Sequence, residues 1–249
     1  MKLESKVAIV TAASSDRGSA VAELLASEGA FVTINYFRNK QKAESTLKRV
    51  ENNGTKAMVW QADVTSKTSV DNMVKETTNK FGTVDILVNN AHGKIRRKPF
   101  EVTEWNDYEE NINGTIKGTH NCCQAVIGEM QKKKWGRIIN IMDDIVNDPV
   151  KGYSSHISAQ SALVGFTRGL AIDLGSFGIT ANLINAGFTF AKKTPHAPPS
   201  VHKAIADQTP LNRIALPIDI AKAVLFYASD WSDFVTGNCL TVDGGKTMR

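Results

Sequence analysis

The 249-residue chain is poor in the residues that staple small secreted folds. It has three cysteines, an odd number, and none stands at metal-ligand spacing. That excludes a disulfide scaffold and a zinc motif. Cys122 and Cys123 are adjacent in an apolar stretch and read as small core residues. With Cys239 they fit a reducing, cytoplasmic compartment. No apolar run approaches the roughly 20 residues of a membrane span, so a membrane partner is not expected. The opening Met1-Lys2-Leu3-Glu4-Ser5-Lys6 leads straight into strand-like residues, without a signal-peptide segment. Charge of one sign is also scarce. The formal net charge is only +5, and the short clusters Arg96-Arg97-Lys98 and Lys132-Lys133-Lys134 read as solvated surface, not as a nucleic-acid patch. Low-complexity tracts, linkers and repeats are absent.

What is present is a regular alternation of short β-rich runs and amphipathic helical patterns. Strands are expected at 7–10, 31–36, 57–60, 84–88, 137–141, 179–184 and 239–242. Helices are expected at about 16–28, 40–53, 67–81, 105–111, 115–133, 154–174 and 218–228. Gly29, Gly54 and Gly82 close three of them. A loop rich in Pro, Lys and Ala is expected near 191–200. Strands that alternate with helices of this length need crossover connections and a parallel sheet, and their continuous apolar character implies burial on both faces. The expected architecture is α/β, a Rossmann-type doubly wound sheet with helices on both faces, as one domain over 1–249. Ligands are expected at the carboxyl ends of its strands.

Several segments resemble the short-chain dehydrogenase/reductase family, most nearly its β-ketoacyl-(acyl-carrier-protein) reductase branch. They are Lys6-Val-Ala-Ile-Val-Thr11, Ala62-Asp63-Val64-Thr65, Asp85-Ile-Leu-Val-Asn-Asn-Ala91, Gly136-Arg-Ile-Ile-Asn-Ile141, Ala162-Leu-Val-Gly-Phe-Thr-Arg168, Gly178-Ile-Thr-Ala-Asn182 and Thr236-Gly-Asn-Cys-Leu-Thr-Val-Asp-Gly-Gly245. They occur in family order along nearly the whole chain. The resemblance implies a seven-stranded sheet, an NAD or NADP cofactor, and a tetramer built through paired long helices and C-terminal strands.

The phosphate loop departs from that pattern. The family has Thr-Gly, three residues, then Gly-hydrophobic-Gly, so that backbone N–H groups reach a diphosphate at a helix N-terminus. Here the run is Thr11-Ala12-Ala13-Ser14-Ser15-Asp16-Arg17-Gly18, and only the last glycine survives. Ala12 places a Cβ where positive φ is needed. Asp16 places a carboxylate near the diphosphate position. At about 4 Å the two charges would repel by about 4 kcal/mol at an effective dielectric of 20, about a thousandfold in affinity. Arg17 or Arg38 would offset part of that. Asp16 either caps its own helix or turns outward and spares the cofactor. On the nucleoside side, the resemblance gives Asp63 and Val64 to the adenine and Asn89 and Ala91 to the loop beside it, with His92 in place of the family's next glycine. Arg38, just past the second strand, would meet a 2′-phosphate and favour NADP.

The resemblance also locates the family's Ser, Tyr, Lys and Asn, and here each is replaced. Counting from Gly136-Arg137-Ile138 puts Asp143 at the serine position. Counting back from Leu163-Val164-Gly165-Phe166 puts Gln160 at the lysine and His156 at the tyrosine. For the asparagine, a downstream anchor gives Thr115 and an upstream one Ile112, with Asn111 and Asn113 close by. Gln160 has no charge to tune an acid, so no cation is expected beside the proton-donor position. Tyr153 lies three residues before His156 and on a continuous helix would approach the cleft. Asp143 and His156 form either an acid/base dyad or a pair of polar groups that satisfy each other. Three functions remain open. One is a non-catalytic subunit, as a homodimer, a homotetramer or a hetero-oligomer with an active reductase. Another is an NAD(P)(H)-dependent oxidoreductase using Asp143 and His156. The third is a ligand-binding or non-redox protein. The 186–200 segment, the substrate lid in relatives, has Ala186 where proline is common and names no substrate.

Overall fold

The computed structural model describes residues 2–190 and 198–248. Its elements are β1 (Val7–Val10), α1 (Asp16–Ser27), β2 (Phe31–Tyr36), α2 (Lys40–Glu51), β3 (Ala57–Gln61), α3 (Lys67–Phe81) and β4 (Ile86–Asn89). They continue with α4 (Trp105–Ile112), α5 (Gly118–Lys133), β5 (Gly136–Asp143), α6 (Ser154–Leu174), β6 (Ile179–Ala186), α7 (Pro199–Asp207), α8 (Pro217–Ala228) and β7 (Cys239–Val242). The strands form one seven-stranded sheet in the order β3-β2-β1-β4-β5-β6-β7, and every pairing is parallel.

Alternation within the strands splits the core in two. Ala8, Val10, Ile86, Val88, Ile139 and Ile141 pack with Val21 and Leu25 of α1 and Ile220 and Val224 of α8. Ile9, Leu87, Ile138 and Ala181 point the other way, onto Met73 of α3, Val126 and Met130 of α5, and Leu174 of α6. Side chains that alternate across a pleat and are apolar on both sides require helices on both faces, which is the doubly wound arrangement.

Three expectations are corrected. The fourth strand begins at Ile86, not at 84. Just before it, the Asp85 carboxylate accepts the Val7 N–H at 2.9 Å and pairs with Lys133. The two helices expected around 105–133 are one continuous rod, because α4 passes into α5 through a π-helical turn at Asn113–Lys117. Gly114 within this turn lies backbone to backbone with Gly93, where an added Cβ would sit 2.3 Å from the Gly93 Cα. Part of the stretch expected as loop is helix α7, which takes Pro199 in its first turn. Proline suits that position because its missing N–H has no intrahelical partner there. The 191–197 part of that loop lies outside the described residues. Among the described residues no helix is long and apolar enough to cross a membrane.

Candidate functional site

β1 has β2 on one side and β4 on the other, so the strand order reverses there and the carboxyl ends of the strands open into a crevice. The cleft holds about 1610 Å³, above the usual range of about 300–1,000 Å³, so it has room for an extended ligand.

The loop after β1 is held from two sides. The Ala12 N–H donates to Asn35 Oδ1 at 3.1 Å, and Asn90 Nδ2 donates to the carbonyls of Thr11 at 3.1 Å and Ala12 at 3.3 Å. Ala12 sits at φ +49°, a left-handed conformation that costs a residue with a Cβ about 1–2 kcal/mol. Gly18 is fixed by contact, since a Cβ there would lie 2.6 Å from the Ala12 carbonyl oxygen. The expectation that Asp16 caps α1 is corrected. Ser15 is the cap, its Oγ accepting the Gly18 N–H at 3.1 Å. Asp16 is the next residue, in the first turn, where the helix dipole favours a carboxylate, and it lines the cleft.

Arg17 reaches out of α1 across the crevice. Its Nε donates to Asn90 Oδ1 at 2.7 Å and its Nη1 to Asp143 Oδ1 at 3.0 Å. The second Asp143 oxygen lies 3.1 Å from His156 Nε2, and His156 Nδ1 lies 3.3 Å from Asn111 Oδ1. The Asn111 amide is oriented by its NH₂ group, which donates to the Asp107 carbonyl at 2.9 Å and to Ser155 Oγ at 3.3 Å. The ring of His156 is therefore flanked by an amide oxygen and a carboxylate, both acceptors. Both contacts are hydrogen bonds only when both ring nitrogens carry hydrogen. His156 is 1% exposed, so water does not compete. Burial alone would push the Asp143 carboxyl up, but the His156 hydrogen bond and the Arg17 charge outweigh it and hold the group well below the usual carboxylate range. A cation does reach this centre, but it stands beside Asp143 and not beside His156: Arg17 supplies it.

Other predicted residues divide by location. Ser14, Asp16, Arg17, Arg38, Asp63, Val64, Ala91, Asp143, Tyr153 and His156 line the cleft. Tyr153 does so from the cap position before α6, not from the helix itself. Asp63 spends Oδ1 on the Thr65 N–H at 2.9 Å and hydroxyl at 2.8 Å. Arg38 is exposed, its guanidinium 4.9 Å from the Phe37 ring centroid. Thr11 is buried and ties β1 to β4, its hydroxyl accepting the N–H groups of Asn90 at 2.8 Å and Ala91 at 3.0 Å. Asn89 is buried too and donates to Asn140 at 2.9 Å. Its neighbour Asn90 is the one facing the crevice. Thr115 accepts the Gly93 N–H at 3.3 Å, and Gln160 Oε1 accepts the Asp143 N–H at 3.4 Å. Thr115 makes no hydrogen bond to Asp143 or His156; Asn111 makes that contact. The sequence held one signal of it. The two anchors for the asparagine disagree by three residues, 115 against 112, and the π turn at Asn113–Lys117 lies between and around them.

Two cleft groups were not foreseen as ionisable partners. His92 donates Nδ1–H to the Gly93 carbonyl at 2.8 Å. Desolvation in the cleft lowers its imidazole, Asp143 pulls it back up, and Arg17 lowers it further, leaving it below its ordinary value. Asp144 is pushed up to about 6 by burial and, against the pull of Lys246, by Asp143, Asp148 and Asp243.

The fold recurs in known proteins. A family model described as enoyl-(acyl carrier protein) reductase matches residues 12–247. The chain belongs to the short-chain dehydrogenase/reductase family. It is 36% identical over 248 residues to the (2S)-[(R)-hydroxy(phenyl)methyl]succinyl-CoA dehydrogenase subunit BbsD of Thauera aromatica, covering 100% of this chain and 99% of that one. It is 33% identical over 243 residues to the 3-oxoacyl-[acyl-carrier-protein] reductase FabG of Staphylococcus epidermidis, covering 98% and 99%. Among solved members, NAD+-bound xylitol dehydrogenase superposes with a TM-score of 0.91 at 25% identity, covering 98% of this chain and 100% of the other. A short-chain type dehydrogenase/reductase from Mycobacterium ulcerans superposes at 0.94 with 23% identity, covering 100% and 92%, which speaks to the fold.

Proposed function

We propose that this chain is a short-chain dehydrogenase/reductase subunit that has given up hydride transfer and serves a structural or regulatory role beside a catalytically complete relative. The observation that carries the reading is the Arg17 strap, bonded at 2.7 Å to Asn90 and 3.0 Å to Asp143 across the crevice. A general base needs a free lone pair, and both ring nitrogens of His156 already face acceptors. Gln160, at the lysine position, adds no charge that would tune an acid. The competing reading, an NAD(P)(H)-dependent oxidoreductase with Asp143 and His156 as its acid/base pair, needs a nitrogen that the network has already engaged.

The residues present do not fit a dinucleotide's diphosphate as they stand. The Ala12 Cβ, the Asp16 carboxylate and the Arg17 side chain all lie around the mouth of α1, where such a group is held. The nucleoside side stays open, and there Arg38 favours NADP over NAD. In support of assembly with a second chain, the Thauera aromatica relative is named as one subunit of a dehydrogenase. A homotetramer or homodimer is the alternative assembly. The three cysteines are free, in keeping with a reducing cytoplasm.

Calorimetric titration with NADH and NADPH tests the reading, with no saturation expected at millimolar concentration. Saturable binding, together with carbonyl reduction that disappears in His156→Ala, would overturn it. Co-expression with a catalytically complete relative, followed by native mass spectrometry, tests the assembly. A mixed complex is expected, and homo-oligomers alone would remove the subunit role.

A further inference from the structure

At the opposite edge of the sheet from the crevice, the amino ends of β5 and β6 border a second cavity of about 480 Å³. Its lining includes Trp135, Arg137, Thr180, Asp233 and Phe234, with Lys134 at the rim. Four buried side-chain polar atoms among the described residues have no hydrogen-bond partner, and two of them, Arg137 Nε and Thr180 Oγ1, belong to residues of this cavity. Arg137 is 2% exposed. Its Nη1 donates to the Gly136 carbonyl at 3.0 Å, and its Nη2 is paired with Asp233. The guanidinium lies 4.3 Å from the Trp135 ring centroid, and Lys6 lies 3.8 Å from the same ring.

The pairing is lopsided. The Asp233 side chain is 62% exposed while that of Arg137 is 3%. A buried guanidinium thus depends for its counter-charge on one carboxylate that water can draw away. Burial pulls Arg137 below its ordinary value, and Asp233 and Asp230 pull it back up. The unmade Nε and Thr180 hydrogen bonds add a desolvation cost that an acceptor would remove. Next to Asp233, Phe234 is fully exposed at 105%. An apolar body covering Phe234 and the indole of Trp135 would take that ring out of water.

We propose that this cavity is a binding site for a small organic carboxylate with an aromatic or short apolar body. The ligand carboxylate displaces Asp233 from the Arg137 fork and accepts from Nε–H and the Thr180 hydroxyl. A guanidinium presents paired parallel donors that match a carboxylate. The apolar body lies between Trp135 and Phe234. The site shares no lining residue with the crevice and does not depend on the function proposed for it.

Benzoate and acetate are the probes, titrated into the full-length protein by calorimetry while the indole resonances are followed by NMR. Benzoate is expected to saturate at millimolar concentration and to shift the Trp135 indole, with acetate weaker. Asp233→Asn removes the competing carboxylate and is expected to tighten benzoate about tenfold, the size of one charge-assisted hydrogen bond. Thr180→Val keeps the volume and is expected to weaken it several-fold without changing the melting temperature by more than a few degrees. Arg17→Ala, in the crevice, leaves benzoate binding unchanged. The proposal is overturned if Asp233→Asn protein shows no saturable binding up to about 20 mM, or if binding is lost in Arg17→Ala and kept in Thr180→Val.

Discussion

The two halves of the crevice have been treated differently. On the nucleoside half, Asp63, Val64, Ala91 and Arg38 still line open space, and Asp63 bonds only within its own turn, to Thr65. On the reaction half, the polar side chains are spent on one another in the chain Asn90–Arg17–Asp143–His156–Asn111. Open polar groups wait for a ligand, and groups already paired must break those pairs to meet one. On the function proposed above, the same fold keeps one half of its site available and turns the other into internal structure.

The sharpest way to break this contrast is to restore the loop between the halves. In the triple variant Ala12→Gly, Asp16→Gly, Arg17→Ile, removal of the carboxylate and the strap, less the attraction lost with the Arg17 charge, is expected to raise NADPH affinity about a hundredfold over the wild type. Fluorescence titration reads this, and no gain would mean that the nucleoside half is not intact. Asp143→Ala leaves the Arg17 guanidinium without its counter-charge and His156 Nε2 without its acceptor, and is expected to cost about 3 kcal/mol in urea unfolding. A loss below about 1 kcal/mol would show the network to be loose.

A smaller effect concerns pH. The Asp144 carboxyl titrates near 6 in the fold, above its unfolded value of about 3.9. The folded protein therefore holds the extra proton between those values, and stability falls as pH rises from about 4 through 6. Asp144→Asn is expected to remove that fall and to gain about 2–3 kcal/mol at pH 7, read from melts across the range.

The fold was largely legible because buried parallel strands read as short apolar runs and glycines mark the ends of helices. What escaped has physical causes. Pro198 and Pro199 look like loop residues, yet proline also starts helices, and α7 begins there. In the site, Asp143 and His156 could be placed together because their interval along the chain is the family's. Arg17 could not, since its partner is 126 positions away and a long flexible side chain leaves no periodicity behind. Asn111 stayed only a neighbour of the counted positions, because the upstream and downstream anchors disagree across the π turn.

That wide turn at Asn113–Lys117 acts as a gear between two faces. A regular helix advances about 100° per residue, so deleting one residue there would swing Asn111 away from His156 or else pull Cys122, Val126 and Met130 out of the core they fill. With the turn present, the front of the rod is set for the polar chain and the back for packing, each on its own bearing.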